Sequence, residues 1–110
     1  MSSGVNPYAG EVALVIDGQR RVLKLTLGAL AELETALGAD SLMALVERFE
    51  GGRFSARDVM ALILAGLHGG GEAIAAADLM QAEIEGGTAE AARAAGLLLA
   101  RAFSTPGTAP

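Results

Sequence analysis

A chain of 110 residues with no cysteine, 52% hydrophobic residues and only 4% aromatic ones has room for one domain, whose core must come from Leu, Val, Ile and much Ala. The missing cysteines remove disulfides, thiolate nucleophiles and zinc–thiolate sites together, and with no charged-then-apolar leader expected they suit a reducing, cytoplasmic setting. The 8 basic against 13 acidic residues leave a net charge of −5, which argues against nucleic acid, whose affinity rests on many Lys and Arg contacts to phosphate, and the longest apolar run, Val59 to Leu67, is about half of the roughly 20 residues that a membrane span needs.

Both ends, residues 1–10 and 104–110, have little to bury and are expected to be flexible tails around a single domain over 11–103. From Glu11 to Leu25, two alternating apolar runs flank Asp17-Gly18, a pair suited to a tight turn, which predicts a β-hairpin over 11–25. Val12, Leu14 and Ile16 share one face, and Leu23 and Leu25 join them whether the loop has two residues or four. The two-residue loop also sets Glu11 opposite Lys24. A lone hairpin is marginal in water, so its apolar face must rest on the helices that follow.

Thr26 is placed to cap a first helix over about 27–37, where Leu30, Leu33 and Leu37 recur at helical spacing and Gly38 stops the run. Asp40 or Ser41 opens a second, over about 41–50, with Leu42, Leu45, Val46 and Phe49 on one stripe and Gly51-Gly52 at its end. Ser55-Ala56-Arg57-Asp58 reads as a capping box with Asp in place of Glu. It introduces a central third helix, about 56–68, that buries Val59, Leu62, Ile63 and Leu67. After the break at His68 to Gly71, a fourth helix is expected at about 76–85 with Leu79, Met80 and Ile84 buried. Thr88 and Glu90 then open a fifth over about 89–103. The fold expected is mainly α, with a small N-terminal β-hairpin packed on a compact bundle of about five short helices.

Polar constellations are sparse. His68, the single histidine, has no second His, Cys or carboxylate at ligand spacing, so it reads as a helix-end residue interacting with terminal carbonyls and the dipole. The adjacent glycines follow a helix and lack the Lys-Ser/Thr of a phosphate loop, so they read as a connection. Glu32 with Glu34, and Glu83 with Glu85, are two apart, which on a helix puts them on different faces and on solvated surface. Ser41, Ser55 and Thr88 sit where caps are wanted, with none of the surroundings of a nucleophile. No catalytic, metal or cofactor residues emerge, and a non-enzymatic, protein-binding role is expected. A small ligand-binding or enzymatic domain centred on His68 and its glycines is the contrasting reading.

The apolar excess is the informative feature. The hairpin face, the third helix and the consecutive Leu97, Leu98 and Leu99 together offer more apolar surface than one thin core readily hides. Successive residues on a helix point about 100° apart, so the three leucines cannot share one narrow stripe. Either the helices close over this surface, or at least one of the leucines faces a helical partner or a second copy in a homo-oligomer, and Leu97, Leu98, Leu99 and Phe103 are the candidate partner-binding residues.

Several stretches carry a family resemblance: Gly10-Glu11-Val12, Asp17-Gly18, Leu25-Thr26-Leu27-Gly28-Ala29-Leu30-Ala31-Glu32-Leu33-Glu34, Ser55-Ala56-Arg57-Asp58-Val59 and Ala65-Gly66-Leu67. The sequence resembles the small tail proteins encoded in bacterial gene transfer agents, a family also labelled phage tail tube protein and grouped with phage tail assembly chaperones. The resemblance implies a chaperone that coats the tape measure protein and helps recruit tail tube subunits around it. The family's other label implies instead a structural tail tube or tail-tip component of the particle.

Overall fold

The computed structural model describes residues 10–38 and 41–103. The expected tails, apart from Gly10, and Asp40 as an alternative opening of the second helix lie outside the described residues. A two-stranded antiparallel sheet of β1 (Val12–Ile16) and β2 (Gln19–Leu23) is followed by α1 (Leu27–Leu37), α2 (Leu42–Glu50), α3 (Ala56–Gly69), α4 (Ala76–Gln81) and α5 (Gly87–Phe103). The architecture is mainly α with an N-terminal hairpin, as the sequence implies.

The hairpin closes through two residues. Asp17 and Gly18 have φ of 52° and 78°, the paired positive values that match the turn to the strand twist. The register pairs Ile16 with Gln19 and Val12 with Leu23. Val12, Leu14, Ile16 and Leu23 are buried, while Arg21, opposite Leu14, carries its guanidinium out to Glu72 at 2.6 Å.

The caps form as the residue types demand. The Ala29 N–H donates to the Thr26 hydroxyl at 3.1 Å and the Ala44 N–H to that of Ser41 at 3.0 Å. At the head of α3, Ser55 and Asp58 exchange side-chain bonds with each other's backbone N–H groups, which satisfies two otherwise orphaned donors.

α3 is central, packing on α1, α5, β2 and α4. Its Leu62, Ile63, Ala65, Gly66 and Leu67 are buried, whereas Val59 is half-buried. The glycines at its end are more than a connection. A Cβ added to Gly69 would lie 1.9 Å from the Lys24 carbonyl oxygen, and one added to Gly70 would lie 2.0 Å from that of Val22. Only glycine lets the helix end approach the outer edge of β2 this closely, and the Lys24 N–H donates to the Gly66 carbonyl at 2.9 Å.

Three expectations about the later elements need correction. The fourth helix stops at Gln81 instead of continuing to residue 85, and Met80, expected to be buried, is 70% exposed. Residues 82–85 run extended beside β1: Ile84 bridges Ile16, the Asp17 N–H donates to the Glu83 carbonyl at 2.7 Å, and the Glu85 N–H donates to that of Val15 at 3.0 Å. The physical reason lies in Ala82-Glu83-Ile84-Glu85, whose apolar–acidic alternation has period two, so an extended chain turns both apolar residues inward and both carboxylates out. α5 begins at Gly87 rather than 89, which puts Thr88 within its first turn instead of before it.

Candidate partner-binding groove

The third and fifth helices do not close over all of their apolar surface. α3 contributes Val59, Met60 and Ile63, α4 contributes Leu79 and Met80, the extended segment adds Ala82 and Ile84, and α5 supplies Ala89, Ala91 and Ala92 to an open groove of about 500 Å³. The alanines set its depth, because side chains of one carbon on α5 leave the helix backbone low between taller neighbours. A second depression of about 600 Å³ continues past Phe54, Ala89 and Ala92 to Val46, Phe49, Gly96, Ala100 and Phe103. Phe49 and Phe54 stack with ring centroids 4.4 Å apart and planes 10° from parallel, which ties the loop from α2 to α3 back onto α2.

The four candidate residues divide between core and surface. Leu98 is fully buried, so the expectation that it faces a partner is corrected, whereas Leu99, 3% exposed, lines the second depression. At the observed phase of α5 Leu98 turns inward toward Gly66 of α3, where an added Cβ would meet its Cδ1 at 2.9 Å. Leu97 is half-buried against the core, and Phe103, 44% exposed, lines the second depression. The sequence reading missed the groove itself. Its signal was the row of small residues Ala89, Ala92, Gly96 and Ala100 on α5, which at helical spacing leaves a shallow face.

The polar groups act as ties between elements. Arg48 of α2 grips Asp58 with two bonds of 2.9 Å. Asp58 is 6% exposed, and the Arg48 bonds, aided by the Ser55 N–H, hold its carboxyl below the ordinary value of 3.8 against the opposing effect of burial. His68 has a carboxylate partner that its sequence neighbourhood does not show: Nδ1 lies 2.8 Å from Glu32 of α1, and Nε2 lies 2.7 Å from the Ile74 carbonyl. Glu32 is accordingly a bonded residue, not free surface. The Ile74 carbonyl first, and Glu32 after it, raise the His68 pKa above its ordinary 6.5. Glu83 and Glu85 are exposed on the extended segment. Glu90 and Arg93 pair along the exposed flank of α5.

Among the described residues no group of His, Cys, Asp or Glu is arranged to hold a metal ion, and no helix is long and apolar enough to cross a membrane. The chemistry on offer is apolar contact along a helix-lined trough. No curated protein and no solved structure matches the chain. Residues 9–105 match the family described as "Phage tail tube protein, GTA-gp10", a match that runs from the hairpin through the whole of α5, and the chain belongs to that gene transfer agent tail family.

Proposed function

We propose that this chain is a non-enzymatic structural component of a gene transfer agent tail, a tail tube subunit that joins its neighbours through apolar contact along the α3–α5 groove. The family match over residues 9–105 carries the reading. The groove supports it, because a surface lined by Val59, Met60, Met80 and the alanines of α5 offers area for protein contact. Quantitative mass spectrometry of purified particles tests the proposal. A tube subunit is present in many copies per mature tail, and its absence from finished particles would overturn the assignment.

A second reading, a chaperone that coats the tape measure protein and recruits tail tube subunits, is favoured by the state of the sheet edges. A ring built by continuing a sheet needs open strand edges. Here β1 is partly covered by Glu83 and Glu85, and β2 abuts Gly66 and Gly69 of α3 and its capping Gly70. A trough between helices suits an amphipathic helical partner. Under this reading the chain leaves before the tail is finished, and co-expression raises the solubility of the tape measure protein.

A further inference from the structure

The segment that forms the α4 wall of the groove is fastened at its two ends. At Glu72 the N–H donates to the Leu67 carbonyl at 2.9 Å and the carboxylate meets Arg21 at 2.6 Å. At Glu83 the carbonyl accepts from the Asp17 N–H at 2.7 Å and the N–H donates to the Asp17 carboxylate at 2.9 Å. Between these points, among the described residues, the backbone bonds are local to α4: Asp78 and Leu79 to the Ala75 carbonyl, and Ala82 to that of Leu79. The exception is His68, whose Nε2 reaches the Ile74 carbonyl. α4 contributes little of its own, since its six residues have no side-chain cap and bury one side chain, Leu79.

His68 stands between two acceptors. A carboxylate oxygen of Glu32 faces Nδ1 and a backbone oxygen faces Nε2, and neither an ionised carboxylate nor a carbonyl has a proton to give. A neutral imidazole carries one N–H and can serve one of them, so only the imidazolium serves both. We propose that protonated His68 is a latch that holds residues 73–82, and with them the α4 wall of the apolar groove, against α3, and that the neutral imidazole releases them.

The order of breakage follows from bond strength. A hydrogen bond to a carboxylate is stronger than one to a neutral carbonyl, so the remaining proton stays on Nδ1 toward Glu32. The Nε2 lone pair is then left against the Ile74 oxygen, and the two repel. The backbone can yield between the fastenings at Glu72 and Glu83, because its own bonds there are local to α4. Leu79 and Met80, which line the groove, move with it.

Bonding to Ile74 and then to Glu32 raises the pKa of His68 in the folded chain above 6.5. The latch is therefore fully engaged below about pH 6.5 and is lost as pH rises through the raised value. Glu32 is the charged group from α1 at the ring. The other elements packed on α3 bring Arg21 on β2, engaged with Glu72, and the exposed Asp78 on α4. α5 brings Glu90 paired with Arg93, and Arg101, which donates to the Glu11 carbonyl. Lys24 follows β2.

The chain has one histidine, so a nitrogen-15 NMR titration reads its ring directly, and amide hydrogen exchange from about pH 5.5 to 8.5 reads the segment in the same sample. The expected neutral form is the Nδ1–H tautomer. Protection of amides 73–82, corrected for intrinsic exchange, falls about tenfold across the His68 titration while that of Leu62 to Leu67 holds. Glu32→Gln moves the midpoint of the fall to lower pH, and His68→Gln makes protection of the segment independent of pH. An Nε2–H neutral tautomer overturns the proposal. So does segment protection that tracks the α3 core at every pH, or a pH dependence that survives in His68→Gln.

Discussion

Leu98→Ala separates core from surface on α5 most directly. Leu98 is fully buried and sits so close to α3 that Gly66 has no room for a Cβ beside it, so its removal leaves a cavity the helices cannot collapse without shifting the α3–α5 contact. Leucine-to-alanine changes at such sites cost about 3 to 5 kcal/mol, the larger figure where the cavity stays open. Against a total stability of about 5 to 15 kcal/mol, that is a large fraction. At roughly 4 to 6 °C per kcal/mol for a domain of this size, the midpoint of thermal unfolding falls by about 12 to 30 °C. Phe103→Ala, at a position 44% exposed, costs about 1 kcal/mol or less. Urea unfolding followed by far-UV circular dichroism measures both variants on the same scale. A Leu98→Ala chain within about 1 kcal/mol of the parent, or a Phe103→Ala chain less stable than it, would refute the burial assigned to α5.

Gly69→Ala drives a methyl group into the Lys24 carbonyl and is expected to cost about 3 kcal/mol or more, since backbone must move on both sides. Gly28→Ala, in α1 with nothing nearer its added Cβ than the Thr26 hydroxyl at 3.9 Å, gains about 0.5 kcal/mol from helix propensity; chemical denaturation of the pair tests whether close approach, not glycine as such, sets the sign. Arg48→Ala strands the Asp58 carboxylate at 6% exposure and costs about 3 kcal/mol near neutral pH. With its pKa depressed in the folded chain, Asp58 contributes stability above 3.8 that is lost as pH falls through the lower folded value, and in the Arg48→Ala chain this acid-side loss shrinks.

Much of the fold was legible because its signals are local and agree with one another. Asp17-Gly18 states its own turn geometry, and Thr26, Ser41 and Ser55 each precede a helix they then cap. The sequence reading failed where a distant element decided the outcome. Ile84 follows Leu79 and Met80 at a spacing that a helix and an extended chain both accommodate, and the choice fell to the edge of β1. Residues 68–71 look like a simple break, yet Gly69 and Gly70 answer to strand β2, which precedes them by more than forty residues in the chain. The partner of His68 sits 36 residues away, beyond any spacing rule. The candidate site was missed for a related reason: the number of leucines at 97–99 is evident, but which of them face outward depends on the rotation of α5 about its axis. That rotation is set by the fit of Leu98 against Gly66.

The two sheet edges differ in what closes them, and this gives a way to locate the assembly contact. The edge of β2 and Lys24 after it meet the end of α3, at Gly66, Gly69 and the capping Gly70. The edge of β1 is covered by residues 83–85, whose carboxylates are exposed and whose first residue is held by the Asp17 side chain at 2.9 Å. Asp17→Gly removes that carboxylate and keeps a residue content with positive φ, so the hairpin persists while amide protection at Glu83 and Glu85 falls. If subunits meet through the groove, self-assembly of the purified chain, followed by light scattering, proceeds at the parental rate in Asp17→Gly. It is lost in Ala89→Glu, which sets a charge at an exposed position shared by both depressions and changes stability by less than about 0.5 kcal/mol. The opposite pattern, assembly accelerated by Asp17→Gly and indifferent to Ala89→Glu, would move the contact to the strand edge, because only there does loosening 83–85 uncover backbone groups able to pair with a neighbouring chain.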